Sequence, residues 1–421
     1  MLILRLIADE IMLLSPHAEV LPMSIDKPVK IALIGAGGAS FGPVVTFEAL
    51  RAEGLRGAVL SLIDINPARL ETVRAASERM NRALGSPMRI ETHTDTPRGI
   101  DGAAAIFLSV ESGRWAHWRE DLEVPRKHGS KQDMAECGGP GGLFHALRTS
   151  KLVLEICSVI EKHNPGALLV NVTNPLSKVN LAISRATKLG CIGLCPEFNL
   201  SLPRIALKLG VPLSKLRAEA WGINHFTWFH KIERTDTGED LYPALKRNIR
   251  LFPFIHGKLG RRCFEEFGVY PVSSDSHIGE YLPGGGPGTR SVLPQWFPYQ
   301  EFSRVECEMR VRLTEWYAQE KFSLPLEKLP ASIEGGIPIV EALHTGGRTG
   351  FGAVNMVNSR GQIPNLPEDA IVETPAVAEG GKLSPVAMPA VPSMSALIKS
   401  FLILLSPFSI DILNPPDALY S

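Results

Sequence analysis

The sequence predicts an α/β fold: a doubly wound parallel sheet, then a second α+β domain. Three observations predict it. Short apolar runs alternate with stretches of helical spacing over the first 200 residues. The first of these runs ends in a glycine-rich turn that opens a helix. Beyond about residue 200 the texture changes to longer helices, aromatic loops and glycine-rich turns such as Pro283 to Gly288.

Val29 to Ile34 is a short apolar run of the kind buried on both faces of a parallel sheet. The turn Gly35-Ala-Gly37-Gly38-Ala-Ser40-Phe41-Gly42 follows, then helical spacing from Val44 to Glu53. A second strand, Ala58 to Ile63, ends at Asp64 and leads to a helix over Pro67 to Leu84, with Arg and Glu on its outer face. A third apolar run, Ala103 to Val110, and a fourth, Ala167 to Val172, alternate with further helices, and a short strand from Cys191 to Cys195 closes the domain. The expected division is an N-terminal extension over 1–24, a first domain over 25–198, a second over 199–390 and an atypical tail over 391–421.

Composition narrows the function. The 421 residues carry 44 basic and 44 acidic groups, which argues against a nucleic acid or an anionic membrane as the main partner. The six cysteines are irregularly spaced and read as free cytosolic thiols rather than a disulfide framework. Met1 to Leu14 is apolar but broken by Arg5, Asp9 and Glu10. It is a poor signal peptide, is too short to span a membrane, and reads as a start-site extension with Met23 the alternative start. A cytoplasmic location is expected.

Gly35-x-Gly37 between a strand and a helix places backbone N–H groups and a helix N-terminus against a pyrophosphate, with Gly38 and Ser40 in the same turn. The third glycine of such a turn is displaced, to Gly42. Asp64, at the end of the second strand, stands where a carboxylate takes ribose hydroxyls and repels a 2′-phosphate, so the turn is expected to bind NAD in a Rossmann-like manner. The competing reading of Asp64 is a helix N-cap before Asn66-Pro67.

Downstream stand Gly193-Leu-Cys195-Pro196-Glu197 and Trp221-Gly-Ile-Asn224-His225-Phe226. A thiolate and an imidazole form a borderline-soft pair suited to a divalent transition metal. Taken singly, each is more often a buried core residue. Asn171-Val-Thr-Asn174-Pro175 follows the fourth strand, beyond whose carboxyl end a ligand is expected. Gly138 to Gly142, before Leu143 to Leu147 and Arg148, is a second glycine-rich helix start.

These segments, with Trp118 to Gly129, Asp240 to Pro243, His277-Ile-Gly-Glu-Tyr281-Leu-Pro283, Asn355 to Asn358 and Asn365 to Ala370, resemble glycoside hydrolase family 4, the NAD- and divalent-metal-dependent glycosidases. The resemblance runs from about Val29 to about Thr374. It implies a second domain like that of lactate and malate dehydrogenases and a homo-dimer or homo-tetramer. It implies that Cys195 and His225 bind Mn2+ or a similar ion, and that Asn174 belongs to the cofactor site. Glu136, Arg148, Asn171 and Asn224 are expected to meet the sugar, and Asp275 to supply a base.

The chemistry implied follows from one fact. The C2–H of a sugar is not acidic until C3 is a ketone. Hydride passes from C3 to NAD, the metal stabilises the oxygens at C2 and C3, the C2 proton is removed, and the C1 leaving group departs before the steps reverse. Two departures mark this chain. Pro196 stands where relatives carry a proton-donating residue, with Glu197 as the available substitute, and Glu136 stands where relatives carry aspartate. Trp118 and Asp121 resemble the α-glucosidase and α-galactosidase branch that acts on non-phosphorylated sugars. The alternatives are an NAD-dependent sugar or 2-hydroxy acid dehydrogenase, or a relative that binds sugar without turnover.

Overall fold

The computed structural model describes residues 29–392 apart from 133, 253–254, 283–298 and 330–334. The expected extension over 1–24, the Pro283 to Gly288 turn and the tail beyond 392 lie outside the described residues. The first half runs β1 (Lys30–Ile34), α1 (Phe41–Arg51), β2 (Val59–Ile63), α2 (Pro67–Leu84), β3 (Arg89–His93), α3 (Thr96–Ile100), β4 (Ala105–Leu108), α4 (Arg114–Lys127), α5 (Gly139–His163), β5 (Leu168–Asn171), α6 (Leu176–Ala186) and β6 (Cys191–Gly193). The second half runs α7 (Glu197–Leu209), β7 (Leu216–Ile223), β8 (Phe226–Arg234), α8 (Tyr242–Leu251), α9 (Lys258–Phe267), α10 (Asp275–Ile278), α11 (Tyr299–Ala318), α12 (Gly336–Thr345), β9 (Thr349–Val357), β10 (Ile371–Glu379) and β11 (Lys382–Pro385).

One sheet carries both halves, in the order β3-β2-β1-β4-β5-β6-β9-β10-β7-β8, with β11 on β10. The first six strands are parallel, and β9, β10, β7 and β8 pair antiparallel. The sheet runs on past the strand from Cys191 to Cys195, because β6 pairs with β9 through Gly193 and Asn355. The strand β3 escapes the sequence because Arg89-Ile-Glu-Thr-His93 has no apolar run; it is an edge strand with only partly covered side chains.

Both faces of the parallel half are covered, which is why β1, β4 and β5 are almost wholly apolar. On one face Leu33, Leu62, Phe107 and Val170 pack with Val45, Val73 and Val340 from α1, α2 and α12. On the other, Ile34, Ile106 and Leu169 pack with Val153, Ile160 and Val179 from α5 and α6. The antiparallel half has its own clusters, around Phe229, Leu245 and Phe264 and around Trp221, Trp228 and Ile278. Among the described residues no helix is long and apolar enough to cross a membrane.

Phe107 is fully buried, and a Cβ on Gly336 would stand 2.4 Å from its ring, so α12 seats on β4 only because residue 336 has no side chain. Phe107→Ala is expected to cost about 3–5 kcal/mol, read as a lowered midpoint in urea at unchanged slope.

Candidate active site

The turn after β1 has the shape a dinucleotide needs. Gly35 sits at φ +88°, and a Cβ there would stand 1.8 Å from the Ser109 carbonyl oxygen. Gly42, within the first turn of α1, approaches the Ala36 carbonyl so closely that a Cβ would lie 1.8 Å from it. This is the close helix–strand packing required of the displaced third glycine. Gly38 donates its N–H to the Gly35 carbonyl (3.0 Å) and Gly37 donates to Asp64 Oδ2 (2.7 Å). Both amides therefore hold the turn itself. The donors left for a phosphate are the first-turn amides of α1, beside Ser40, whose side chain makes no capping bond.

Asp64 also accepts from Asn66 N (2.9 Å), while the N-cap of α2 is Asn66, whose side chain accepts from Arg69 N. The N-cap reading of Asp64 is thus replaced by a bridge between the glycine turn after β1 and the end of β2. Ile65 beside it is 93 % exposed. The residues present fit a dinucleotide.

Beyond the carboxyl ends of β5 and β6 a second constellation is buried. Cys195 follows β6, and His225 sits in the hairpin turn between β7 and β8 with φ +64°, a left-handed backbone that non-glycine residues seldom adopt. The His225 ring lies between two sulfurs, with Cys195 Sγ 3.2 Å from Nε2 and Cys137 Sγ 3.0 Å from Nδ1. Glu136, His225 and His277 each offer a ligand atom, and these atoms lie within 4.8 Å of one another. Cys195 joins them through His225 alone, and a carboxylate, two imidazoles and a neighbouring thiol are ligand types suited to a divalent transition ion. Burial lowers His225 to about 4, so its ring is neutral and its lone pair available. Burial pushes the Cys195 thiol well up, which a cation beside it would reverse. Asn224 Oδ1 is buried here without a partner. These residues fit a metal.

Glu136 is a buried carboxylate. Burial alone would raise its pKa, but His225, His277 and Arg114 hold it below the usual range. Its Oε1 accepts from Asn174 Nδ2 (3.1 Å), which draws this expected cofactor residue into the constellation. Glu280 fixes the loop that carries Glu136, accepting from the amides of Glu136 (2.8 Å), Cys137 (2.7 Å) and Gly138 (3.1 Å).

Several expected residues do other work. Asn171 is fully buried and committed internally, donating to Asn180 Oδ1 (2.7 Å) and accepting from Thr173 N (3.0 Å), so it shapes the end of β5 rather than facing a sugar. Asn224 points into the core toward Cys195 and Glu373. Arg148 is tied by both guanidinium nitrogens to the buried Asp121 carboxylate, yet it lines a small polar cleft together with Glu136, Glu111, Arg114 and His145 and so stays beside the site. Asp275 accepts from Leu259 N (3.1 Å) and Gly260 N (3.0 Å) and so caps α9; of the stretch Asp275-Ser-His277, it is His277 that reaches the cluster. Glu197 is held ionised: burial would raise it, yet His277 and Arg204 lower it, so it is a proton acceptor and not the expected donor.

His277, Cys137, Glu280 and Tyr281 received no role from sequence reasoning. Tyr281 stacks on Phe226 and donates to the Asn224 carbonyl (3.2 Å). The signal lay in the His277-to-Pro283 motif, quoted above as a mark and not as a set of ligands.

A sequence profile of the Family 4 glycosyl hydrolase matches residues 30–203, and one of its C-terminal domain matches residues 220–403. The chain belongs to glycosyl hydrolase family 4. This family 4 glycosyl hydrolase is 29 % identical over 363 residues to an alpha-galactosidase of Bacillus subtilis (85 % of this chain, 82 % of the relative). It is 28 % identical over 394 residues to an alpha-glucosidase of Erwinia rhapontici (83 % of each). Its fold is similar to a 6-phospho-alpha-glucosidase from gut microorganisms in complex with NAD and Mn2+ (TM-score 0.71, 21 % identity, 90 % and 87 % covered). It is less similar to a malate dehydrogenase of Plasmodium falciparum (TM-score 0.52, 15 % identity, 90 % and 96 % covered).

Binding of an ion by Cys195 requires its thiol to release a proton, whereas His225 is already neutral above about 4. Mn2+ affinity is therefore expected to rise with pH from 6 to 8, by about tenfold per pH unit for one proton released. Free Mn2+ measured by electron paramagnetic resonance checks this. Cys195→Ser is expected to flatten the slope and weaken binding by about 100-fold or more.

Proposed function

We propose that this glycosyl hydrolase is an NAD- and Mn2+-dependent glycosidase acting on α-glucosides and α-galactosides whose cleaved sugar carries no phosphate. The observation that carries the proposal is the set of buried Glu136 and His225 with half-buried Cys195 and His277, placed beyond the ends of β5 and β6 beside a dinucleotide turn. The alpha-galactosidase and alpha-glucosidase relatives support the substrate class.

Bound together, the nicotinamide and the ion supply reversible oxidation at C3 and electrophilic stabilisation of the neighbouring oxygens. The chain's residues do the rest. The first-turn amides of α1, with Gly35, Gly37, Gly38, Ser40 and Asp64 shaping the turn, seat the dinucleotide. Asn174 orients Glu136 through its side-chain bond. Cys195 and His225 would hold the ion, with Glu136 and His277 as the further candidate ligands. Glu197, ionised and first in α7, stands where the cluster meets the neighbouring cavity and accepts the C2 proton. Asp275 acts through the backbone, fixing α9 and the segment that delivers His277.

The test is turnover of nitrophenyl α- and β-glucosides, galactosides and uronides with NAD and Mn2+ under thiol reductant in deuterated water. The expected result is release from an α-glucoside or α-galactoside that needs both additions and leaves deuterium at C2. Turnover indifferent to both additions overturns the mechanism. Net NADH formation points to a dehydrogenase.

We further propose a cytoplasmic homo-oligomer. All six cysteines are unpaired. Phe302, Val305, Met309, Leu313 and Trp316 form an exposed apolar stripe along α11. The charges flanking the stripe neutralise one another, Arg304 with Glu301 and Glu308 and Arg310 with Glu306, so two identical faces do not repel. A second copy is the occupant. Leu313→Lys with Met309→Lys is expected to halve the sedimenting mass; an unchanged mass sinks this interface.

A further inference from the structure

A cavity of about 910 Å3 runs from the metal-binding constellation into the antiparallel half. Glu197 and His277 line its inner end, and the rest of its wall comes from α7, β8 and the segment 255–276, with Leu200, Phe229 and Val272 among its apolar surfaces. None of the wall comes from β1 to β5 or the dinucleotide turn. On the oxidation–elimination chemistry, C3 faces the nicotinamide and C1 lies across C2 from it. The leaving group then points away from the parallel strands and into this cavity.

The cavity holds two cations on successive turns of α7, Arg204 and Lys208. Like charges at that spacing repel. Arg204 is answered by Glu197 at 2.9 Å. Lys208 has no such answer: among the described residues no carboxylate lies within ion-pair distance of its ammonium. Asp275, the nearest acidic influence on it, is occupied by the amides of Leu259 and Gly260. Burial and Arg204 lower Lys208 to about 8.

Lys208 is also held in place. His256 is lowered to about 4 and is neutral. Its Nε2 donates to Asn248 Oδ1 (2.9 Å), so its Nδ1 accepts from the Tyr270 hydroxyl (2.9 Å). The Tyr270 oxygen in turn accepts from Lys208 Nζ (3.0 Å). One ammonium N–H is fixed, and two remain to face the cavity. An oxyanion there would remove the unbalanced charge and use both.

We propose that this cavity is the leaving-group subsite and that Lys208 recognises an oxyanion, carboxylate or phosphate, at that group's far end. The substrates are then glycosides whose leaving group has an apolar body and an anionic tip. This rests on the glycosidase reading of the neighbouring cluster.

The experiment compares aryl α-glycosides of one sugar whose leaving groups carry a para carboxylate, a para phosphate or a neutral para carboxamide. The wild type is expected to favour an anionic substrate over the neutral one by about tenfold in kcat/KM, through KM. Lys208→Gln is expected to bring that ratio to about one, and Lys208→Arg to restore most of it. The better of the two anions names the source of the oxyanion. No preference in the wild type, or the same preference in Lys208→Gln, overturns the proposal. In parallel, 4-hydroxybenzoate and phenyl phosphate are titrated calorimetrically into the full chain without sugar. Binding that Lys208→Gln abolishes and Lys208→Arg keeps supports the subsite even if no glycoside is hydrolysed, in which case the glycosidase reading alone fails. Absence of binding of both anions to the wild type, or equal binding to Lys208→Gln, overturns the subsite.

Discussion

A single junction in the sheet determines the rest of this molecule. At Gly193 and Asn355 the parallel half gives way to the antiparallel half, through one pair of residues. A side chain at 193 would strike Asn180 Nδ2 at 2.3 Å, so the join needs glycine. The chain leaves β6 two residues later at Cys195, and β10 carries the sheet onward to β7, where Glu373 pairs with Gly222. The hairpin that follows places His225 against Cys195. Two residues thirty positions apart in sequence thus meet through sheet pairing and not through any local motif.

That meeting has an electrostatic cost, and the surrounding groups share it. An ionised carboxylate in a protein interior is tolerated only when paired and hydrogen-bonded. Glu136 satisfies this with Asn174 and the nearby imidazoles, and Glu197 with Arg204 and His277. Glu373 lies deeper, where burial raises its pKa, and its contacts are the neutral donors Thr227 (2.7 Å) and Asn355 (3.2 Å). The inner carboxylate therefore leans toward its neutral form while the outer two are charged. Negative charge is concentrated at Glu136 and Glu197.

Much of the fold was legible because its signals are local. Val29 to Ile34, Ala58 to Ile63 and Pro67 to Leu84 are uninterrupted apolar or periodic runs, and each became the expected element. The glycine turn and Asp64 were legible for the same reason. What escaped lacks a local signal. The edge strand β3 has a polar sequence, and its pairing with β2 is set by the sheet. The helix α5 extends to His163, well past the segment from Leu143 to Leu147 that its glycine-rich start brought forward. Within the site, Cys195 and His225 were found through order and spacing along the chain, and the structure brings them together. The duties of Asn171 and Asp275 could not be read this way. A polar residue at a strand end looks the same in sequence whether its side chain faces a ligand or, like Asn171, satisfies buried neighbours.

Pro196 carries the same argument from sequence to chemistry. A proline has no proton to give, and here it is the N-cap of α7 with no side-chain bond to the helix. Its place directly before Glu197 puts an acid in the first turn, where the helix dipole adds to His277 and Arg204 in favouring the charged form. The substitution therefore does more than delete a donor. It leaves the mouth of the cavity lined by an acceptor that is already ionised, with His277 as the one cluster residue besides it that also lines the cavity. Ser274 bonds His277 Nδ1 at 3.0 Å and leaves Nε2 turned toward Glu136, 3.7 Å away. The one nitrogen of the ring not held by Ser274 thus faces the cluster, an orientation fixed by the loop that Asp275 anchors.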